Sequence, residues 1–287
     1  MEQVQFEARP RVEVLFKWIM FTAAITGMAI VSAFYPIAGN IPLIVIPSIL
    51  VLLFAKPVLF ERLKLTTLIV MRIVVVFAAI RLFNPQIFVD CILLALIVNI
   101  LEATFTDLLK HKKYYNAISG FALAIGVIAL RGSWAYGAPI GNYYLVTGAT
   151  KAITACYVVA YTLWNWIFVT DEFSPSVSLM HVGFLGAPLI GSLCTLGLGA
   201  FGGLGMWLLL RANSLAIGGW LQIGAKGWFE KEFYNEKFAK FVDATHKTLP
   251  QIVFMLINVG LIVAAIVLAL NNGGIHFTFA PWAAPVM

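Results

Sequence analysis

The sequence predicts an all-α integral membrane protein, a bundle of helices that crosses the bilayer several times. Hydrophobic residues make up 61% of the 287-residue chain, charged residues make up 11%, and the mean hydropathy is +0.93. A water-soluble domain of this length needs a larger polar surface. In addition, fourteen of the nineteen Lys and Arg residues lie in four short clusters between alternate apolar runs. This spacing is typical of a multi-pass protein with a fixed orientation.

Seven apolar runs each approach the roughly 20 residues that a helix needs to cross a bilayer. They cover residues 14–35, 41–55, 65–83, 87–109, 115–130, 148–169 and 252–270. The region 176–221 is long enough for two crossings, but Pro188 and six glycines between positions 191 and 205 interrupt it. Interruptions of this kind are typical of a broken or re-entrant helix. Close packing between helices also uses such glycines.

The four clusters of positive charge determine the predicted orientation, because loops rich in Lys and Arg stay on the cytoplasmic side. The clusters lie at 9–17, 56–64, 110–113 and 226–247. All four lie inside only if the region 176–221 crosses twice, or re-enters and returns. We therefore predict nine spans, with the N-terminus inside and the tail 271–287 outside, and eight spans as the alternative. The chain 1–287 is expected to form one domain in a plasma membrane or a bacterial inner membrane.

Residues 226–247 are charged but contain Trp228 and four phenylalanines. This pattern predicts an amphipathic helix that lies on the cytoplasmic surface of the membrane. Its four acidic residues nearly balance its five lysines. We therefore expect a linker held at the lipid surface by its aromatic side chains rather than a strong binder of anionic lipid.

Ionisable residues inside apolar runs are costly, and each is a candidate functional residue. If the third and fourth spans form an antiparallel hairpin that turns near Pro85, positions whose numbers sum to 171 lie at one depth. On this assumption Lys64 faces Asp107, Arg81 faces Asp90, and Arg72 faces Asn99 and lies close to Glu102. One interpretation is a ladder of ion pairs that lets the hairpin insert. The other makes Arg72 and Glu102, about 10 Å in from the cytoplasmic edge, part of a gate or an ion path.

Polar residues recur along one face of the sixth span. Thr150, Thr154, Tyr157, Tyr161 and Asn165 follow one another at intervals of four, three, four and four, which places them in one stripe. Such a stripe faces other helices or a water-filled cavity rather than lipid, so Tyr157, Tyr161 and Asn165 are candidates for a solute path. Lys151, near the outer end of the span, is a further candidate. Hydrogen bonding between helices is the alternative explanation.

The link after the sixth span is acidic, although the other inner links are basic. It contains Asp171 and Glu172, and the Ser-Pro pair that follows predicts the start of a helix. We expect these two carboxylates and His181 to gather at the inner interface, where they can relay protons or hold a cation. A solvated acidic loop and a histidine satisfied within the bundle are the alternative. Arg211 lies in the second half of the region 176–221. It is expected to face the cavity that this broken region would line.

The sequence contains no pattern typical of a metal site, a bound cofactor or a nucleic-acid interface. The three cysteines and four histidines are dispersed, without the paired spacing of metal ligands. Residues 197–202 match GxGxxG, but they lie in an apolar run rather than between a strand and a helix. The formal charge of +6 reflects orientation toward an anionic inner leaflet.

Three classes of function fit these features. We expect a transporter or channel for a small solute or ion, because charges, a polar stripe and a broken region lie within the apolar runs. A membrane-embedded enzyme acting on a lipid or isoprenoid would use His181 with Asp171 or Glu172, but the sequence lacks a nucleophile motif and diphosphate-binding aspartates, which weighs against an enzyme. A non-catalytic subunit of a membrane complex is the third class. The expected partners are membrane lipids and the solute, with a homo-oligomer or a complex as further options.

Overall fold

The computed structural model describes residues 9–80, 82, 85–131, 134–140, 143–148 and 151–271, and its architecture is helical, as the sequence predicts. The elements in chain order are α1 (Arg11–Phe34), α2 (Pro36–Asn40), α3 (Ile46–Phe54), α4 (Leu59–Ala79), α5 (Pro85–Thr106), α6 (Tyr114–Arg131), β1 (Trp134–Ile140), β2 (Tyr143–Gly148), α7 (Lys151–Glu172), α8 (Pro175–Cys194), α9 (Trp207–Gly224), α10 (Lys226–Glu232), α11 (Glu236–Thr245) and α12 (Thr248–Asn271). A π-helical turn, Ile41–Val45, joins α2 to α3, and another, Asp107–His111, extends α5. The predicted outer tail beyond Asn271 lies outside the described residues.

Within the described part of the chain, seven helical segments are long and apolar enough to cross a membrane. They are Arg11–Phe34, Pro36–Phe54, Asp90–His111, Tyr114–Arg131, Lys151–Glu172, Pro175–Cys194 and Thr248–Asn271. The prediction of a helical membrane protein is therefore confirmed at this level. The share of the apolar window that is buried ranges from 17% in α12 to 61% in α8, so α8 is the central helix and α12 lies at the periphery.

Two further helices, α4 and α9, correspond to the third span and to the second half of the region 176–221. They have 21 and 18 residues, but their length, hydropathy and charge together do not place them among the seven membrane-spanning candidates. Helix α4 carries Glu61, Arg62, Lys64 and Arg72, and α9 carries Arg211, Asn213 and Gln222. The nine-span topology stays a prediction, and these two helices are the spans it adds.

The helices pack in two groups. Helices α1, α8 and α9 contact one another and carry α2, α3 and α4 on their outer side, whereas α5, α6, α7 and α12 form the second group. Contacts between α7 and α8 join the groups. The largest apolar cluster crosses this junction, since it includes Tyr161 and Trp164 of α7 together with Leu185 of α8 and Trp207 of α9.

Two local features explain where helices begin and turn. Helix α8 begins at Pro175 after Ser174, as predicted, because proline at the first helical position has a suitable φ and needs no hydrogen-bond acceptor for its nitrogen. Between α1 and α2 the side chain of Asn40 donates to the carbonyls of Ser32 and Pro36, both at 2.9 Å. A Cβ on Gly39 would lie 2.4 Å from the Ser32 Cα, so only glycine permits this close turn.

The link between α6 and α7 is not helical. Strands β1 and β2 pair antiparallel, from Trp134 opposite Gly148 to Ile140 opposite Tyr143, with an irregularity near Tyr136. The two strands replace the simple outer link of the prediction, and the sixth span begins at Lys151 rather than at residue 148.

The amphipathic segment 226–247 forms two short helices, α10 and α11, instead of one helix. Phe229 and Phe233 of this segment are buried against Phe21 of α1, with ring centroids 5.2 and 5.8 Å apart. Trp228 and Phe241 are exposed. The segment is thus attached to the bundle on one side and presents aromatic side chains on the other.

Candidate functional site

The polar stripe of α7 faces the interior of the bundle. Thr154, Tyr157, Tyr161 and Asn165 are all buried, with Tyr157 and Tyr161 fully so; Thr150 lies outside the described residues. The stripe prediction is confirmed in this respect, because helical periodicity determines which side chains share a face. Lys151 is exposed at the first position of α7, away from the buried part of the stripe.

Arg211 reaches the middle of this stripe from α9. Its Nε donates to the Tyr161 hydroxyl at 3.2 Å, its Nη1 donates to the Phe184 carbonyl at 3.4 Å, and the guanidinium lies 5.5 Å from the Tyr161 ring centroid. The same hydroxyl accepts a hydrogen bond from Asn165 Nδ2 at 3.0 Å. A charge that is only 6% exposed is therefore held by neutral groups on α7 and α8, at the junction of the two helix groups.

Arg72 is the second buried arginine, and its partner differs from the predicted one. It donates to the side-chain oxygen of Asn213 on α9, and Asn213 in turn donates to the Ala29 carbonyl of α1 at 3.0 Å. Glu102 is exposed on α5. The predicted pairing of Arg72 with Glu102 is wrong, because α4 packs chiefly against α9 while α5 packs against α6.

The rest of the predicted ladder also has other partners. Asp90 binds Arg131 of α6 through two hydrogen bonds of 3.1 Å, and Arg81 lies outside the described residues. Asp107 binds Asn116 and approaches His111 instead of Lys64. The two spans do not form the isolated hairpin on which the ladder depended.

Charged side chains gather where the ends of α5 and α7 meet the loop before α12. We call this group the ion cluster; it consists of Asp107, Lys110, His111, Lys113, Asp171, Glu172 and His246. His111 is at its centre, since its Nδ1 lies 3.1 Å from Asp171 and 3.6 Å from Asp107, and its Nε2 lies 2.9 Å from Glu172. Three carboxylates thus surround one imidazole.

The lysines complete the ion cluster. Lys110 Nζ lies 2.8 Å from Glu172, and Lys113 Nζ lies 3.2 Å from Asp171. Asp107 is fully buried and accepts a hydrogen bond of 2.6 Å from Asn116, whose amide also donates to the Trp164 carbonyl of α7. The two lysines and His111 thus lie among the three carboxylates of the ion cluster.

His246 is a neutral member of the ion cluster. Burial lowers the pKa of His246, and the nearby Lys113 ammonium acts in the same direction, while Asp171 opposes them. Lys113 can only donate, so Nδ1 accepts at 3.2 Å and Nε2 donates to the Thr170 hydroxyl at 2.8 Å. The pKa of His246 is therefore lower in the folded protein than the unfolded value of about 6.5. As the pH falls, the unfolded chain binds the proton more readily than the folded protein does. The folded state is therefore favoured in full above about pH 6.5 and loses stability as the pH falls through and below that value.

The predicted contact of His181 with Asp171 and Glu172 is not formed. The Nε2 of His181 lies 3.0 Å from Gln222 of α9, and its ring stacks on Phe173 with centroids 4.3 Å apart. Asp171 and Glu172 instead contact His111 within the ion cluster. Among the described residues, His181 therefore forms no pair with Asp171 or Glu172.

The sequence analysis missed His111, Asn116 and His246. Asp107 and His111 are four positions apart, which places them on one helical face. This spacing could have indicated their contact. Asn116 and His246 had none, because their contacts come from the packing of separate helices. Among the residues that the structure describes, no group of three or more His, Cys, Asp or Glu side chains has the arrangement of a metal site.

Comparison of the chain with family models, with curated proteins and with solved structures finds no match.

Proposed function

We propose that the protein carries a small solute or ion across the membrane along the polar face of α7. The observation that supports this proposal is the set of buried polar groups along one face of that helix. It includes Thr154, Tyr157, Tyr161 and Asn165, and the carbonyl of the neighbouring Trp164 accepts from Asn116, which also binds Asp107 of the ion cluster. An apolar bundle needs none of these groups for stability, and each is costly inside a membrane.

The position of the stripe also supports transport. Helix α7 packs on α6 and α12 in one group and on α8 in the other. Transport sites commonly lie between two structural units, where small relative movements can open either side. We place the solute path at this junction, with Tyr157, Tyr161, Asn165 and Arg211 along it.

The ion cluster gives the path a group of charged side chains at one end. His111 lies between Asp107 of the turn that extends α5 and Asp171 at the end of α7, so the cluster bridges these two helix ends. We assign proton or cation handling to this cluster at the inner end of the path. The proposal includes the nine-span topology with the N-terminus inside and location in a plasma membrane or a bacterial inner membrane.

The test is flux through the purified protein in liposomes, with protons and common small ions tried in turn. Tyr161→Phe and Asn165→Leu remove the polar groups of the path with little change of shape. Loss of one hydrogen bond to the moving solute corresponds to roughly a tenfold fall in rate. Thr162→Val is the matched control, because the Thr162 hydroxyl binds only the Val158 carbonyl of its own helix among the described residues.

Flux that falls in both path variants and persists in the control supports transport along α7. Equal flux in all forms would exclude this path. Wild-type liposomes that pass none of the tested ions faster than empty liposomes would contradict ion transport and favour a non-catalytic subunit of a membrane complex, for which purification with bound partners is the next measurement.

A further inference from the structure

Two buried arginines lie inside the bundle with no carboxylate partner among the described residues. Arg72 is 2% exposed and Arg211 is 6% exposed, and both are held by neutral oxygens. Only Glu2 and Glu7 of the thirteen acidic residues lie outside the described part of the chain. None of the other eleven forms an ion pair with either guanidinium.

Neutral oxygens orient a guanidinium but do not cancel its charge. A buried cation is strongly unfavourable unless an opposite charge lies close to it. Elsewhere the protein supplies such partners readily, since Arg131, Lys110 and Lys113 all contact carboxylates. Among the described residues, the two buried cations without a carboxylate partner therefore lie on α4 and α9.

Lys64 of α4 adds to this positive region. Lys64 is only partly exposed, and no described carboxylate lies within ion-pair distance of it. Lys64 and Arg72 are eight residues apart, about 12 Å along the helix, so positive charge extends through a large part of the bundle depth. A low-dielectric interior strengthens such a field.

The groups around Arg211 favour hydrogen-bond donation to a ligand. The Tyr161 hydroxyl accepts from both Arg211 and Asn165 and donates to no other described residue, so its proton is available. We propose that the transported solute is a small anion, which binds beside the Arg211 guanidinium between α7, α8 and α9. The claim that the anion is transported rests on the proposed function, whereas its binding can be tested without measuring flux. The depth of Arg211 favours a free anion over a lipid phosphate group at the membrane surface.

The first experiment measures thermal unfolding of the full-length protein in uncharged detergent. Sodium chloride, nitrate and phosphate are each compared with sodium gluconate at one ionic strength. We expect at least one small anion to raise the melting temperature of the wild type by roughly 5 °C at about 100 times its dissociation constant. Arg211→Gln and Tyr161→Phe should lose most of this rise. Arg62→Gln, which removes an exposed arginine of α4, is the matched control and should keep it.

No rise with any of the three anions, or an equal rise in Arg211→Gln and the wild type, would overturn the proposal. If Arg211→Gln does not fold, the comparison of the rise in melting temperature between the wild type and Tyr161→Phe still tests the proposal. A rise produced by phosphatidylglycerol in the micelles and not by the free anions would identify a lipid phosphate as the ligand and also overturn it. Liposome flux separates this inference from the proposed function. Flux of cations alone would support transport and refute the anion as the transported solute. Anion binding without flux would support the anion site and refute transport.

Discussion

The buried contact between Arg72 and Asn213 can be tested by removing each partner singly and both together. Asn213 is fully buried, accepts from the guanidinium and donates to the Ala29 carbonyl. A hydrogen bond from a charged donor contributes about 1.5 to 3 kcal/mol, and a neutral one about 1 kcal/mol. Asn213→Leu breaks both, so we expect a loss of about 3 kcal/mol.

Arg72→Met should cost less, because it removes the buried charge together with the contact. The double variant has neither a stranded guanidinium nor a stranded amide oxygen, so the two effects should not add. Cycles of this kind within a membrane bundle give about 0.6 kcal/mol on average and at most about 1.7 kcal/mol. A charged donor in a fully buried contact belongs near the upper end, and we expect a coupling energy of about 1.5 kcal/mol.

The assay is reversible unfolding in mixed micelles with increasing sodium dodecyl sulfate, followed by circular dichroism. A second cycle that pairs Asn213→Leu with Arg62→Met is the control, because Arg62 is exposed near the start of α4. It should give no coupling. A coupling energy below about 0.5 kcal/mol for Arg72 and Asn213 would refute the argument that this hydrogen bond holds the buried charge.

Three other features of the structure give measurable expectations. Acidification below about pH 6.5 should destabilise the protein, because the unfolded chain protonates His246 more readily than the folded protein does; His246→Gln should weaken this dependence of the unfolding midpoint on pH. Gly39→Ala should abolish folding or cost several kcal/mol, since its Cβ would lie 2.4 Å from the backbone of α1. Gly27→Ala, with nothing within 4 Å, is its control, and equal yields of folded protein would contradict this packing. Glu232→Gln should speed amide exchange in α10 by about 2- to 10-fold at low salt, because it removes two ion pairs with the N-terminal segment, whereas the neighbouring Glu230→Gln should change it little.

Local patterns in the sequence predicted local structure well. The intervals between Tyr157, Tyr161 and Asn165 were enough to predict one shared face, and burial confirms it. The Ser-Pro pair was enough to predict the start of α8 at Pro175. Both predictions depend only on helix geometry and on residues within a few positions of one another.

Partners across helices could not be predicted in the same way. The pairing of Arg72 with Glu102 assumed that consecutive helices are neighbours along their whole length. Arg72 instead meets Asn213, which is 141 positions away, and no pattern near Arg72 indicates that distant residue. The ion cluster shows both cases, since Asp107 and His111 share a helical face whereas His246 reaches Asp171 through the packing of the loop before α12.

The distribution of opposite charges distinguishes the two polar regions of the protein. In the ion cluster Lys110 and Lys113, in the segment after α5, pair with Glu172 and Asp171 at the end of α7, so the cluster can hold these two ends together without any ligand. Around Arg72 and Arg211 the described residues supply only neutral oxygens. Stability alone gives no reason to retain two such charges, because apolar side chains of similar volume would pack at lower cost. The interior charges are therefore the part of the structure that the proposed anion would compensate.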